Sequence, residues 1–257
     1  MSNNDAISLD IKHGVASLVI ERPPVNAFNE VLIDELDRAL AEVEKNSELS
    51  VLHIKSGLGV FSAGADLELI QDCLATPEGR DRIVAVVREL QRVFARIERL
   101  GIVSMAEIGG AAVGGGLELA LSCDLRIASE KAKLGLPEAG LGLLPAAGGT
   151  QRLTRICGEA VARRLILGAE VVDSNEAHRI GLVHWVVPAE DLASRADELA
   201  ARLGEMPPKA LAACKRCIAA ASDRNVDGFA LELVETRRLH DGGEPTRRIE
   251  KFLAKSG

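Results

Sequence analysis

The sequence predicts an α/β fold built on a largely parallel sheet, and three features carry that reading. Short apolar runs of strand length alternate with longer stretches whose apolar residues recur at helical spacing. Glycine-rich segments stand repeatedly between a strand and the helix that follows it. The chain has 257 residues and is 47% apolar, enough for one sizeable core and too apolar for disorder.

The elements follow in order. Ile7, Leu9 and Ile11 alternate with polar residues, Lys12-His13-Gly14 makes a turn, and VASLVI follows, so the start reads as a β-hairpin ended by Arg22-Pro23-Pro24. Asn29 is the expected N-cap of a helix whose apolar face is Leu32, Leu36, Leu40 and Val43. VLHI (51–54) is a buried strand, followed by a glycine-rich loop and a short helix near Leu67. Ile83, Val86, Leu90, Val93, Ile97 and Leu100 form one face of a long amphipathic helix. IVSMAEI (102–108) is a strand, then come glycines, a helix from about Gly116, and a short strand LRIA (125–128). From Gly148 helices dominate: GGTQRLTRI, EAVARRLIL, and SNEAHRI with Ser174 as its expected cap. VHWVV (183–187) is the last strand-like run, and three or four helices are expected after Pro188. The expected division is a sheet-rich body over 1–190 and a helical region over 191–257. Stretches 51–69 and 103–121 echo each other as strand, glycine-rich loop, small residues, acid and leucine, an order that chance also produces.

Composition excludes several functions. Net charge is −7, which argues against gripping a phosphate backbone. Aromatics are 2% with no Tyr, which argues against stacking on bases. A small anionic ligand stays open, since helix N-termini hold phosphates. The opening MSNNDAISLD is polar and acidic, unlike a signal or transit peptide. The longest apolar stretch, Ile102 to Leu125, contains Glu107 and Glu118, so no membrane span is expected and the chain reads as soluble and cytoplasmic. Cysteines 73, 123, 157, 214 and 217 read as free thiols, the C-K-R-C pair lying inside a helix-like run. The five histidines are scattered and pair with no nucleophile motif, and no metal-ligand cluster shows. Neither Gly57/Gly59 nor Gly140/Gly142 completes a dinucleotide fingerprint, and no glycine run leads into Lys-Ser/Thr.

Two acids stand out. Glu118 sits in AVGGGLELALSCDL (112–125) and Glu138 in LGLPEAGLG (134–142). Alone, the first reads as a first-turn acid at a helix N-terminus and the second as a solvated loop acid. Together in one apolar pocket they could not both be charged cheaply: one would keep a proton and act as acid, the other would serve as base. Glycine turns at helix starts leave free N–H groups pointing outward. Two such groups aimed at one point make an oxyanion hole, so the set suits proton transfer beside an enolate.

FSAGADL (61–67), GGGLELALSCDLRIAS (114–129) and LGLPEAGLGLLPAAGGTQRLTR (134–155), in that order and spacing, resemble the crotonase superfamily, the enoyl-CoA hydratases and isomerases. The likeness runs from the hairpin through VNAFN to IGLVHWVVP (180–188). It implies a crotonase-like ββα spiral with a C-terminal helical trimerisation region, in homotrimers often paired into hexamers. It implies a lyase of fatty-acid metabolism acting on an acyl-CoA thioester, with no metal and no cofactor beyond the CoA of the substrate. By motif position the N–H groups of Ala65 and Gly115 would hold the thioester oxygen, and the Ala63 carbonyl would meet the adenine. Val25, Ala27, Gly64, Leu67, Gly114 and Pro137 would join Ala63 around the substrate. Asp66 belongs to that set by position, with a loop-bracing role. Glu118 would orient and deprotonate the attacking water, and Glu138 would deliver a proton to C2. Having both acids favours hydration of a trans-2-enoyl-CoA over double-bond isomerisation, decarboxylation or a non-catalytic binding role. Three features depart from the family pattern: PPVNAF lacks the usual Lys, Gly109 replaces an Asn, and the tail from Leu239 is divergent, with Lys251 and Phe252 as candidate CoA contacts.

Overall fold

In the computed structural model, which describes residues 5–255, β1 (Ile7–Lys12) and β2 (Val15–Ile20) pair antiparallel from Ile7–Ile20 to Lys12–Val15. Met1–Asn4, at the head of the stretch read as carrying no leader, and Ser256–Gly257, at the end of the divergent tail, lie outside the described residues. β2 then pairs parallel with β3 (Val51–Ser56), β3 with β4 (Val103–Ile108), β4 with β6 (Leu125–Ser129) and β6 with β9 (Trp185–Val187). A second sheet joins β5 (Ala111–Val113), β7 (Lys133–Gly135) and β8 (Val171–Asp173).

Asn29 caps α1 (Glu30–Lys45) as expected, its Oδ1 accepting from the Leu32 N–H at 3.0 Å. α2 (Leu67–Leu74) is the short helix, and α3 (Pro77–Arg99) begins a turn and a half before its apolar stripe, because Thr76 caps it and Pro77 fits the first helical position. α4 (Gly115–Ser122), α5 (Gly149–Cys157) and α6 (Glu159–Leu167) follow. The cap of α7 (Ser174–Arg179) is Asp173, not Ser174: the Asp173 carboxylate accepts from the Glu176 N–H, while buried Ser174 turns its hydroxyl to the Glu130 carbonyl. The last strand is shorter than 183–187, since the Leu182 and Val183 N–H groups close the end of α7 on the Ala177 carbonyl. Four helices follow: α8 (Leu192–Gly204), α9 (Pro208–Ala220), α10 (Gly228–Asp241) and α11 (Glu244–Lys255).

Strand alternation sends side chains to two cores. Leu52 and Ile54 face the larger one, shared with α1, α3 and α4, while Val51 faces a smaller one closed by Leu192, Ala196, Ala200 and Leu203 of α8. α8 therefore packs on the sheet although it lies beyond residue 190. Among the described residues no helix is long and apolar enough to cross a membrane.

Candidate active site

The echo between 51–69 and 103–121 becomes a pair of neighbouring turns. β3 and β4 are adjacent and parallel, so their following loops leave the same edge of the sheet. The loops then bond to each other: the Phe61 and Ser62 N–H groups both donate to the Ala111 carbonyl, and the Val113 N–H donates to the Ser62 carbonyl. Glycine is required at Gly64, where they touch. A Cβ on Gly64, at φ +95°, would lie 3.1 Å from the Gly115 nitrogen, and one on Gly115 would lie 3.6 Å from the Ala65 nitrogen. The Ala65 and Gly115 nitrogens are thus side by side. Gly64 and Asp66, not Ala65, make the backbone bonds to Phe28, and Gly115 opens α4 where no carbonyl precedes it in the helix. Among the described residues neither N–H has a hydrogen-bond partner.

The VNAF segment lies against this loop. Asn26 is fully buried at φ +53°, and its Nδ2 donates to the Ile20 and Phe61 carbonyls and the Ser56 hydroxyl while Oδ1 accepts from the Arg22 N–H. It ties β2 and β3 to the first of the two loops, the one after β3. Asn26→Ala would leave those buried groups unpaired and is expected to lower unfolding free energy by about 2–4 kcal/mol, measured by urea titration. The Val25 carbonyl accepts from the Ala63 N–H, and the Ala27 carbonyl accepts from Arg22 Nη1. Arg22 Nη2 also donates to Asp66 at 3.0 Å, and Asp66 caps α2 through the Leu69 N–H, which is a bracing geometry. Ala63 and Leu67 are exposed beside them.

The acids arrive from two further elements. α4 carries Glu118, only 3% exposed, and its Oε1 accepts from the Gly149 N–H at 2.7 Å. Burial pushes its pKa up to about 7, with Glu138 adding to the rise and the Gly149 N–H and Arg152 opposing it. Pro137 opens a 3-10 segment, Pro137–Leu141, which brings half-buried Glu138 to the second glycine turn, at Gly114. A Cβ on Gly114 would lie 3.0 Å from Glu138 Oε1, and the Gly114 N–H donates to the Gly135 carbonyl next to that segment. Burial raises the Glu138 pKa as well, and its buried Oε2 has no hydrogen-bond partner among the described residues. All of the site residues read from the sequence motifs therefore sit on two touching turns and the segments packed on them. Glu138 is neither in a solvated loop nor remote from Glu118.

Sequence reasoning missed Asn26, Gly149 and Arg152. Gly149 had a usable signal, a glycine opening a helix, as at Gly115. Asn26 and Arg152 gave none, because their partners are scattered along the chain. The fold also gathers donors that no local motif announced: His53, Glu107 and Asp197 bring ligand atoms within 4.8 Å of one another. His53 alternates with Leu52 and Ile54, so this group lies under α8 on the opposite face from α4. Its members already face neighbours, His53 Nε2 lying 2.8 Å from Glu107 and Lys55 3.5 Å from Asp197. All five cysteines are free, and Cys214 and Cys217 lie within α9.

Over residues 10–240 the chain matches the enoyl-CoA hydratase/isomerase family. It is 38% identical over 245 residues to the probable mitochondrial enoyl-CoA hydratase 2 of Arabidopsis thaliana, covering 94% of this chain and 80% of that protein. It is also 38% identical over 229 residues to the short-chain-enoyl-CoA hydratase of Clostridium acetobutylicum, covering 88% and 85%. The crystal structure of enoyl-CoA hydratase from Bacillus anthracis superposes with a TM-score of 0.89 at 31% identity, over 97% of this chain and 96% of that one.

Proposed function

The chain belongs to the enoyl-CoA hydratase/isomerase family, and from that premise we propose that it adds water across the double bond of a trans-2-enoyl-CoA to give a 3-hydroxyacyl-CoA. The observation that carries this reading is the meeting of two acids, Glu118 and Glu138, at the turn that also presents the unpartnered N–H groups of Ala65 and Gly115. The thioester oxygen would accept from those two N–H groups. As the oxygen of water bonds to C3, Glu118 takes a proton from it, and the electron pair of the double bond moves onto the thioester oxygen. The Glu138 proton then goes to C2 and the carbonyl reforms. Burial pushes Glu118 up to about 7, and the Gly149 N–H and Arg152 act against that rise in favour of its carboxylate form. Glu138 is raised by burial and its Oε2 lacks a donor, which favours the protonated form. Ionisation of either acid holds the proton on the other.

One oxyanion-hole donor is worth about 2.7–4 kcal/mol of barrier, and each positioned acid or base about 10²–10⁴-fold. Water addition changes no overall oxidation state, so the chemistry calls for no redox cofactor, and CoA enters as part of the substrate. Val25, Ala27, Ala63, Gly64 and Leu67 would flank the thioester, with Asp66 bracing their loop. The protein would act in the cytoplasm as a homotrimer or a hexamer of paired trimers. The open apolar side chains Phe229 and Leu233 on α10, 84% and 74% exposed, support such an assembly. The test is a series of 2-enoyl-CoA substrates, beginning with crotonyl-CoA, followed by loss of the conjugated-thioester absorbance and product analysis. The expected product is the 3-hydroxyacyl-CoA. A shifted double bond or released carbon dioxide in its place overturns the reading.

A further inference from the structure

The loop that gives hydrogen bonds to Glu118 is itself held from behind by one buried cation. Arg152, in the first turns of α5, is 6% exposed. Its Nη1 donates to the Ala147 carbonyl at 2.9 Å. Its Nε and Nη2 lie 3.1 and 3.0 Å from Glu98 Oε2 on α3. The same helix grips the loop a second time: Gln91, about two turns before Glu98 and so on the same face, donates from Nε2 to the Ala146 carbonyl at 2.6 Å. On its other side this loop turns its N–H groups to the acid. The Gly149 N–H reaches Glu118 Oε1 at 2.7 Å, and the Ala147 N–H acts on the same carboxyl. The fit is tight, since a Cβ on Gly148 would collide with the Arg152 guanidinium.

We propose that Arg152, anchored by Glu98, is a positioning residue for the Glu118 carboxylate: it fixes the Ala147–Gly149 donors against the acid, and its charge favours the ionised form. This rests on the hydratase reading, in which Glu118 must be ionised to take a proton. The charged groups acting on Glu118 are Glu138 from the 3-10 segment, which opposes ionisation, and Arg152 from α5, which favours it. From α3, Glu98 offsets part of the Arg152 charge, but it is 39% exposed and also faces Arg155 Nη1 at 3.5 Å, so the offset is incomplete. A guanidinium present only for packing would leave the ionisation of Glu118 alone.

The test compares Arg152→Gln, which keeps an N–H donor at the depth of the arginine Nε but drops the charge, with Arg152→Lys, which keeps the charge but loses the planar fork. In Arg152→Gln the acidic limb of kcat/KM is expected to move up by about half a pH unit or more. kcat at neutral pH falls several-fold, and KM stays within about twofold of wild type, as expected for an effect on the base and not on thioester binding. Arg152→Lys returns the limb toward its wild-type position. The Glu118 carboxyl is also titrated directly by carbon-13 NMR in glutamate-labelled protein, assigned with Glu118→Gln. That measurement decides the proposal even where wild type hydrates no enoyl-CoA, an outcome that would sink the hydratase reading instead. A Glu118 titration unmoved in folded Arg152→Gln overturns the proposal. Should Arg152→Gln not fold, Glu98→Gln decides it: the acceptor for Arg152 is retained and its charge is no longer offset, so the titration moves down. An upward or absent shift there overturns the proposal.

Discussion

Glu118→Gln is expected to slow enoyl-CoA hydration by about 10²–10⁴-fold while the fold and thioester binding persist. The amide keeps an oxygen that can accept from the Gly149 N–H, so the loop stays in place, but it cannot take a proton from water. In wild type the acidic limb of kcat/KM should fall near 7, where burial holds the Glu118 carboxyl. Stability carries the same signature with a definite sign. The folded carboxyl holds its proton to a higher pH than the unfolded one does. Its contribution to folding is therefore complete below the ordinary glutamate range and is lost as pH rises through about 7. Above that pH the wild type carries the cost of a buried charge, on the order of 3 kcal/mol, that Gln lacks. Glu118→Gln should therefore be the more stable protein at pH 8 and show no such gain at pH 4. Urea titrations at the two values check it. Glu138→Gln should also cut turnover by orders of magnitude, since no proton then reaches C2. Wild-type rates in folded Glu118→Gln would remove that residue from the chemistry.

The features legible in the sequence were those whose cause is local. The Asn29 cap and the stripes of α1 and α3 follow from spacing alone. The apolar setting of Glu118 was also local, because the whole of α4 is buried. The second sheet was not legible: its strands are three residues long, too short for an alternating pattern to show. The α7 cap was misread by one residue because Ser and Asp both cap well, and the Glu130 carbonyl, distant in sequence, draws the Ser174 hydroxyl away. The grip on Glu118 was hidden for the same reason. Gly149, Arg152 and Glu98 are each ordinary in their own segments, and only the packing of α3 against the loop joins them. The acids were readable from their neighbours in sequence, whereas the groups that set their ionisation were not.

Gly64→Ala tests the other half of the site. Gly64 has φ +95°, a region that costs a side-chain-bearing residue about 1–2 kcal/mol. The added Cβ would also lie 2.9 Å from the Val113 carbonyl oxygen and 3.1 Å from the Gly115 nitrogen. Both neighbours are backbone, so relief requires the two turns to move apart, and that displaces the Gly115 N–H relative to Ala65. The expected result is a fall in kcat of about 10²–10³-fold, the effect of losing one oxyanion donor, with a smaller change in KM. Unfolding free energy should drop by about 2 kcal/mol or more. Gly181→Ala separates the two causes. Gly181 has a comparable φ of +78°, but an added Cβ there meets nothing within 4 Å. It should show the backbone cost alone, about 1 kcal/mol, with kcat unchanged. If Gly64→Ala and Gly181→Ala matched in both stability and turnover, the approach of Gly64 to Gly115 would have no bearing on catalysis. The thioester oxygen would then have to be held elsewhere than between Ala65 and Gly115. A kcat loss confined to Gly64→Ala instead ties turnover to the place where the two turns meet, since the added methyl group there presses on the Gly115 nitrogen and the one at Gly181 meets nothing.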